Sequence, residues 1–338
     1  MNNPRVYIAG YHNLVSCFSL ELDTGRLTLL STSDAGKKPA YMARHPSGRF
    51  IYALDEVNPG RIGAYAIEPR DDRLTLLNTA SSAGDGPCHV SVHPGGRWVF
   101  AANYVSGTIG VLPVLPNGGV GEPLVQYTPG QNAHQIVSDA LGRHVFVPCL
   151  GSDWIAQYRF DASTGELVSN APATVPGAIK SGPRHLAFHP SGRLACLINE
   201  WDSTMTSLSY DAEQGTLTPL ATVSTLPAGC AMKNAPAHVC FSPSGRFVYG
   251  SNRGHDSLVV YAVDAASGAL QLVGHERQGA IAWPRDFAID ATGRCLLVAS
   301  QHNNSVTVFR CNADTGRLDL LSATSVPPGP AFVGVGGG

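Results

Sequence analysis

A four-residue turn recurs along this chain at a spacing that leaves few folds open. Aligned on their turn glycines, six stretches fall into register: HPSGRFIYALDE (45–56), HPGGRWVFAANY (93–104), SDALGRHVFVPCL (138–150), HPSGRLACLINE (189–200), SPSGRFVYGSNR (242–253) and DATGRCLLVASQ (290–301). The glycines Gly48, Gly96, Gly142, Gly192, Gly245 and Gly293 lie 48, 46, 50, 53 and 48 residues apart. Nine residues before each stands Pro39, Pro87, Ala133, Pro183, Pro236 or Pro284. A sustained period of this length marks an array, a solenoid or a propeller.

Within each unit the pattern is that of four short strands. One runs from the proline to the Gly-Arg turn, and a second leaves that turn, as in RFVYGSN. A third follows a short loop, as in DSLVVYAVD, and a D-x-x-G-x-L signal such as DTGRLDLL turns into the fourth. Apolar alternation broken by Gly, Asp and Asn supports strands, and no stretch carries a 3.6-residue period. Residues 5–30 read as strands two to four of a unit that lacks its first, and PGPAFVGVG near the C-terminus supplies it. Six units plus one shared between the termini make seven, and sharing a sheet removes open edges. The expected fold is therefore an all-β seven-bladed propeller, one domain over residues 1–338. WD40 and kelch propellers are disfavoured, because neither the GH…WD pairing nor the double-glycine pattern is present.

Composition narrows the partners. The net charge is −2, only 14% of residues are charged, and no Lys/Arg run occurs, so nucleic acid and anionic membrane have no electrostatic footing. The N-terminus lacks a basic segment followed by a continuous apolar one, and no apolar run is long enough to span a bilayer. The eight cysteines show no zinc spacing and read as buried thiols, so a cytoplasmic protein without metal or cofactor is expected. A closed propeller has no edge that demands a partner, so a monomer or weak homodimer is the default.

In an antiparallel hairpin, the residues just after the proline and the residue eight past the turn glycine share one tip. In a propeller those tips ring one mouth of the central channel. The slot after the proline holds Ala40, Cys88, His134, Arg184, Ala237 and Arg285, and the next holds Tyr41, His89, Gln135, His185, His238 and Asp286. The slot eight past the glycine holds Glu56, Tyr104, Leu150, Glu200, Arg253 and Gln301. Repeats that agree at apolar and turn positions diverge here toward ionisable types, which packing alone does not require. By contrast, His45, His93 and His189 recur beside the turn and read as structural. Blander readings stand beside the functional one: Arg184 and Glu200 as a plain salt bridge, His134 as a satisfied core histidine, and His89, His185 and His238 as channel packing. Those three come from different blades and show no zinc-type spacing, which argues against a metal.

Three arginines at one mouth, Arg184, Arg253 and Arg285, suit an anionic ligand. His134 and Glu200 add acid–base capacity, and His89, His185, His238, Gln301 and Glu56 complete the candidate binding set. Neither a nucleophile elbow, a Walker loop nor a dinucleotide fingerprint is present. The stretches GPRHLAFHPSGR…NE, SNRGHDS and WPRDFAIDATGR, in this register, resemble the seven-bladed propeller lactonase family over residues 5–333. That family includes propeller-type 6-phosphogluconolactonases, related sugar-acid lactonases and the carboxy-muconate lactonising enzyme. The resemblance implies a metal-independent site at the channel mouth, with His134 matching the histidine of AHQI, Arg184 the arginine of GPRH, Glu200 the acid of NE and Arg253 the arginine of NR. Cys149, in VPCLGSD, departs from the Asp-Leu-Gly that relatives commonly carry there. The expected activity is hydrolysis of a small anionic sugar-acid lactone. A muconate-type cycloisomerase and a non-enzymatic binding platform are the rivals.

Overall fold

A computed structural model describes residues 3–336, and in it the chain forms seven four-stranded antiparallel sheets arranged as the blades of a ring. Blades 1 to 6 follow the chain over residues 42–81, 87–127, 137–176, 183–224, 235–276 and 284–325. Blade 7 joins the two ends: Pro330–Gly336 is its innermost strand and pairs with Arg5–Gly10, Val6 lying opposite Val335 and Ile8 opposite Val333. The terminal strand thus closes the circle as the repeat count requires. Among the described residues the helical content is a single 3-10 turn at Leu150–Ser152.

The apolar positions of the repeat pack between blades. Phe100, Ile109 and Val111 of blade 2 interleave with Val145, Val147 and Phe160 of blade 3. Cys295, Leu297 and Val308 of blade 6 meet Val6, Ile8 and Phe18 of blade 7. Each such side chain, fully withdrawn from water, stabilises the ring by about 1.5–3 kcal/mol.

The recurring turn histidines staple neighbouring blades. His45 Nε2–H donates to Gly96 O (2.8 Å), His93 to Gly142 O (3.0 Å) and His189 to Gly245 O (3.1 Å). The other ring nitrogen of each accepts a backbone N–H of its own turn, at 3.0 Å in all three, which fixes the tautomer. The acceptor glycines need their positive φ (70°, 69° and 74°), and a Cβ on Gly142 would lie 2.1 Å from His93 Nε2. His93→Ala is expected to cost about 1–3 kcal/mol, because it strands a buried carbonyl, read as a lower urea midpoint.

One local feature was not visible in the alternating pattern. In blades 2, 4 and 6 the register slips immediately after the strand proline: Pro183 faces Asn199 but His185 faces Ile198. Cys88, Arg184 and Arg285 are the extra residues of these bulges. A bulge leaves one residue outside the ladder and re-aims its side chain, here at the channel mouth. Blade 3 departs further. Its inner strand shrinks to Val137–Ser138, with Ala133 bridging Cys149 alone, so His134 lies on irregular backbone held by its N–H to Pro148 O at 2.9 Å.

Candidate active site

The tip ring converges on one cluster. Arg184 and Glu200, joined by the blade 4 hairpin, form an ion pair with Nε to Oε2 at 2.8 Å. Arg253, from blade 5, reaches the same Oε2 at 2.6 Å. Both arginines are nearly sealed from water, their side chains 3% and 6% exposed, while the carboxylate between them remains 22% exposed. Arg184 also donates to Ala237 O and lies 3.3 Å from His185 Nε2; Arg253 donates Nε to Ala235 O at 2.8 Å. The guanidiniums are therefore fixed by backbone carbonyls as well as by Glu200.

Charge follows from this geometry. Burial alone would raise the Glu200 carboxyl, but Arg184 and Arg253, with Arg285 farther off, outweigh it and hold it below its ordinary value. Burial, with Arg184 alongside, pulls Arg253 down to about 9, which still leaves it protonated at neutral pH. One carboxylate shared by two buried cations undercompensates both, and the net positive charge favours an anion.

His134 sits beside this pair, with ring centroids 5.6 Å from Tyr104 and 5.3 Å from His185. Burial, then Arg184, Arg285 and Arg253, press its pKa well below 6.5, so the imidazole is neutral. Its Nδ1 is buried without a hydrogen-bond partner among the described residues. A neutral, unsatisfied ring nitrogen next to a cationic pair can accept a proton once an anion offsets the arginines.

Across the mouth, Glu56, Arg184 and Arg285 line a narrow cleft of about 10 Å³, room for a single water, together with Tyr41, Cys88 and His185. Burial raises the Glu56 carboxyl against the pull of Arg285 and a hydrogen bond from Tyr11. Arg285 stands over the Tyr11 ring, 5.2 Å from its centroid. Gln301 lies at the blade 6 tip with a buried Oε1 that has no hydrogen-bond partner among the described residues.

The second slot forms the channel wall beneath. His185 and His238 share a hydrogen bond between their Nδ1 atoms at 2.9 Å, His89 packs on Tyr41 at 4.5 Å, and His238 lies 3.5 Å from Asp286. Burial, with cationic neighbours, drives His89 and His238 down to about 3. These rings are neutral supports that back Arg184 through His185. No group of three His, Cys, Asp or Glu among the described residues is arranged to hold a metal ion.

Asp286 is the buried acid of this wall. Burial raises it to about 7, although Val333 N–H donates to it at 3.1 Å and Arg184 pulls the other way. Because the folded value exceeds the ordinary 3.8, its ionisation is penalised only in the fold. Stability should therefore fall as pH rises from about 4 to about 7 and then level off. Asp286→Asn is expected to match the parent below about pH 4 and exceed it at pH 8, compared by urea midpoints.

Two residues at the mouth escape the repeat alignment. Tyr11 occupies in blade 7 the place that Glu200 holds in blade 4: its N–H donates to Gly329 O (3.1 Å) as that of Glu200 does to Gly182 O (2.8 Å). Blade 7 is split between the termini and has no turn glycine to align on. The other, Trp283, stands before its strand proline, outside the compared slots. Cys149 is fully buried in the apolar layer between blades 2 and 3.

Comparison with known proteins agrees with this geometry. A family model described as "Lactonase, 7-bladed beta-propeller" matches residues 5–335. A 6-phosphogluconolactonase of Pectobacterium carotovorum is 36% identical over 312 residues, 92% of each chain. Another, of Bacillus subtilis, is 31% identical over 329 residues, covering 94% of this chain and 93% of its own. The periplasmic gluconolactonase PpgL of Pseudomonas aeruginosa superposes with a TM-score of 0.91 over 98% of both chains at 28% identity. The chain is thus a lactone-opening carboxylic-ester hydrolase and belongs to the seven-bladed β-propeller lactonase family.

Proposed function

We propose that this enzyme opens a phosphorylated aldonolactone of the 6-phosphogluconolactone type, and that it does so by acid–base catalysis at the channel mouth. The observation that carries this reading is the Arg184–Glu200–Arg253 triad, two buried cations on one partly exposed carboxylate, with neutral His134 within their field. Three arginines against two carboxylates, one of them with a raised pKa, leave the mouth positive. That balance suits a substrate bearing a phosphate or carboxylate.

In the proposed sequence, Arg253 and Arg285 hold the anionic group while an outward N–H of Arg184 polarises the lactone carbonyl. Water attacks the carbonyl carbon, and His134 takes its proton. The anion already bound makes this easier, because it cancels part of the field that keeps His134 neutral. Arg184 stabilises the tetrahedral oxyanion, whose collapse breaks the ring C–O bond. The imidazolium then returns its proton to the departing alkoxide. Lactone plus water gives the hydroxy acid, and every group ends as it began. Glu200 stays ionised throughout and orients both guanidiniums.

The test is a lactone panel, with acid release followed by a pH indicator above the spontaneous rate. The 6-phosphorylated gluconolactone is expected to show a kcat/KM at least tenfold above the unphosphorylated one. Equal rates for both would overturn the anion assignment. No acceleration of any sugar lactone, alongside cyclisation of a muconate, would move the chemistry to the cycloisomerase rival.

A further inference from the structure

Five blades share one device at the mouth. The residue preceding the first strand's proline, or its equivalent, adopts left-handed backbone geometry: Gly86 (φ 59°), Asn132 (52°), Gly182 (67°), Trp283 (55°) and Gly329 (68°). Its carbonyl accepts the N–H of Tyr104, Leu150, Glu200, Gln301 or Tyr11, respectively, and so sets the height of that residue at the mouth. Glycine adopts this geometry freely and asparagine tolerates it; for a bulky aromatic it is strained. Blade 6 nevertheless places tryptophan there, and strain retained beside a site points to a use for the side chain.

What the indole does can be read from its surroundings. A Cβ on Gly182 would lie 2.8 Å from Trp201 Cγ, and one on Gly86 would lie 2.4 Å from Val105 Cγ2, so in those blades the partner strand fills the space. In blade 6 the corresponding partner residue is His302, and its ring stacks on Trp283 with centroids 4.7 Å apart and planes 14° from parallel. The Arg253 guanidinium carbon lies 5.6 Å from the indole centroid. Trp283 is also tied to the loop after Arg253, its backbone N–H donating to Asp256 Oδ1 at 2.8 Å.

We propose that Trp283 is a positioning residue: its indole, backed by His302, holds the Arg253 guanidinium so that one edge meets Glu200 while the remaining N–H groups meet the substrate's anion. This rests on the lactonase reading above, in which Arg253 binds that anion. A face-on cation–π contact fixes the plane of a guanidinium without consuming its donors, which a salt bridge would do.

The test compares Trp283→Phe, which keeps a π face, with Trp283→Leu, which keeps bulk alone; Trp283→Asn, the residue of the blade 3 tip, relieves the backbone. For 6-phosphogluconolactone, the Leu and Asn variants are expected to raise KM about three- to tenfold with kcat within about twofold, and Phe to stay near the parent. KM for unphosphorylated gluconolactone should not move. In an Arg253→Gln background, Trp283→Leu should add nothing. An equal KM rise for both lactones, an additive effect in that background, or a parental KM for both Leu and Asn overturns the proposal. If the parent enzyme opens no lactone, the lactonase reading fails by itself. The same variants are then compared by calorimetric titration with 6-phosphogluconate. A three- to tenfold weaker Kd for Leu but not Phe supports the positioning role, and an unchanged Kd, or no binding by the parent, overturns it.

Discussion

Glu200→Gln is expected to lower kcat/KM for the preferred lactone by about a hundredfold to a thousandfold and to lower folding stability as well. The two losses share one cause. Glu200 Oε2 is the acceptor for both Arg184 at 2.8 Å and Arg253 at 2.6 Å, and those side chains are 3% and 6% exposed. An amide cannot neutralise them, so two buried cations would face each other uncompensated, at a cost of about 3 kcal/mol. They would then swing apart, and the carbonyl and the anion would lose their donors together. The stability share has a pH signature. The Glu200 carboxyl lies below its ordinary 4.5 in the fold, so its contribution is fully present above that pH and is lost as pH falls through the folded value. Parent and variant should therefore converge in denaturant midpoint toward pH 3 and separate at pH 7. Full activity with a parental midpoint would show that the triad neither binds nor braces.

The second large effect belongs to His134. His134→Ala should reduce kcat by about a hundredfold to ten-thousandfold, with a lower unfolding midpoint as well because the buried ring packs on Tyr104 and His185. The pH–rate profile separates this from a packing defect. Burial and the three arginines hold the imidazole neutral well below 6.5, so the free enzyme keeps its base form through the neutral range. kcat/KM should be flat there and fall only on acidification past that depressed value. The acid limb should vanish from the residual activity of the variant. A limb near 6.5 in the parent, or one that persists unchanged in His134→Ala, would assign the base elsewhere, with Glu56 next in line because burial raises its carboxyl.

The contrast between these substitutions shows what each level of description holds. The sequence places Glu200 and His134 at the same tip of different blades, in two different slots, and nothing local distinguishes their roles. Glu200 becomes a shared counter-ion only because blade 5 delivers Arg253 to it. His134 becomes a low-pKa base only because the ring buries it and adds the field of three arginines from blades 4, 5 and 6. The histidines of the next slot likewise read as one class until the channel pairs His185 with His238 and leaves His89 on Tyr41.

The sequence by itself determined the ring, its seven blades, the closure through Pro330–Gly336 and the identity of the tip that gathers the ionisable residues. It could do so because a hairpin's register is local: a proline, nine residues and a turn glycine decide which side chains share an end. Only the tertiary structure decided that Arg184 reaches Ala237 in the next blade, that Arg253 shares Glu200, and that Tyr11 and Trp283 join the mouth. Those contacts span separate hairpins and depend on blade spacing, on the bulges that re-aim Arg184 and Arg285, and on the burial that sets each charge. None of these is encoded within one period of the repeat.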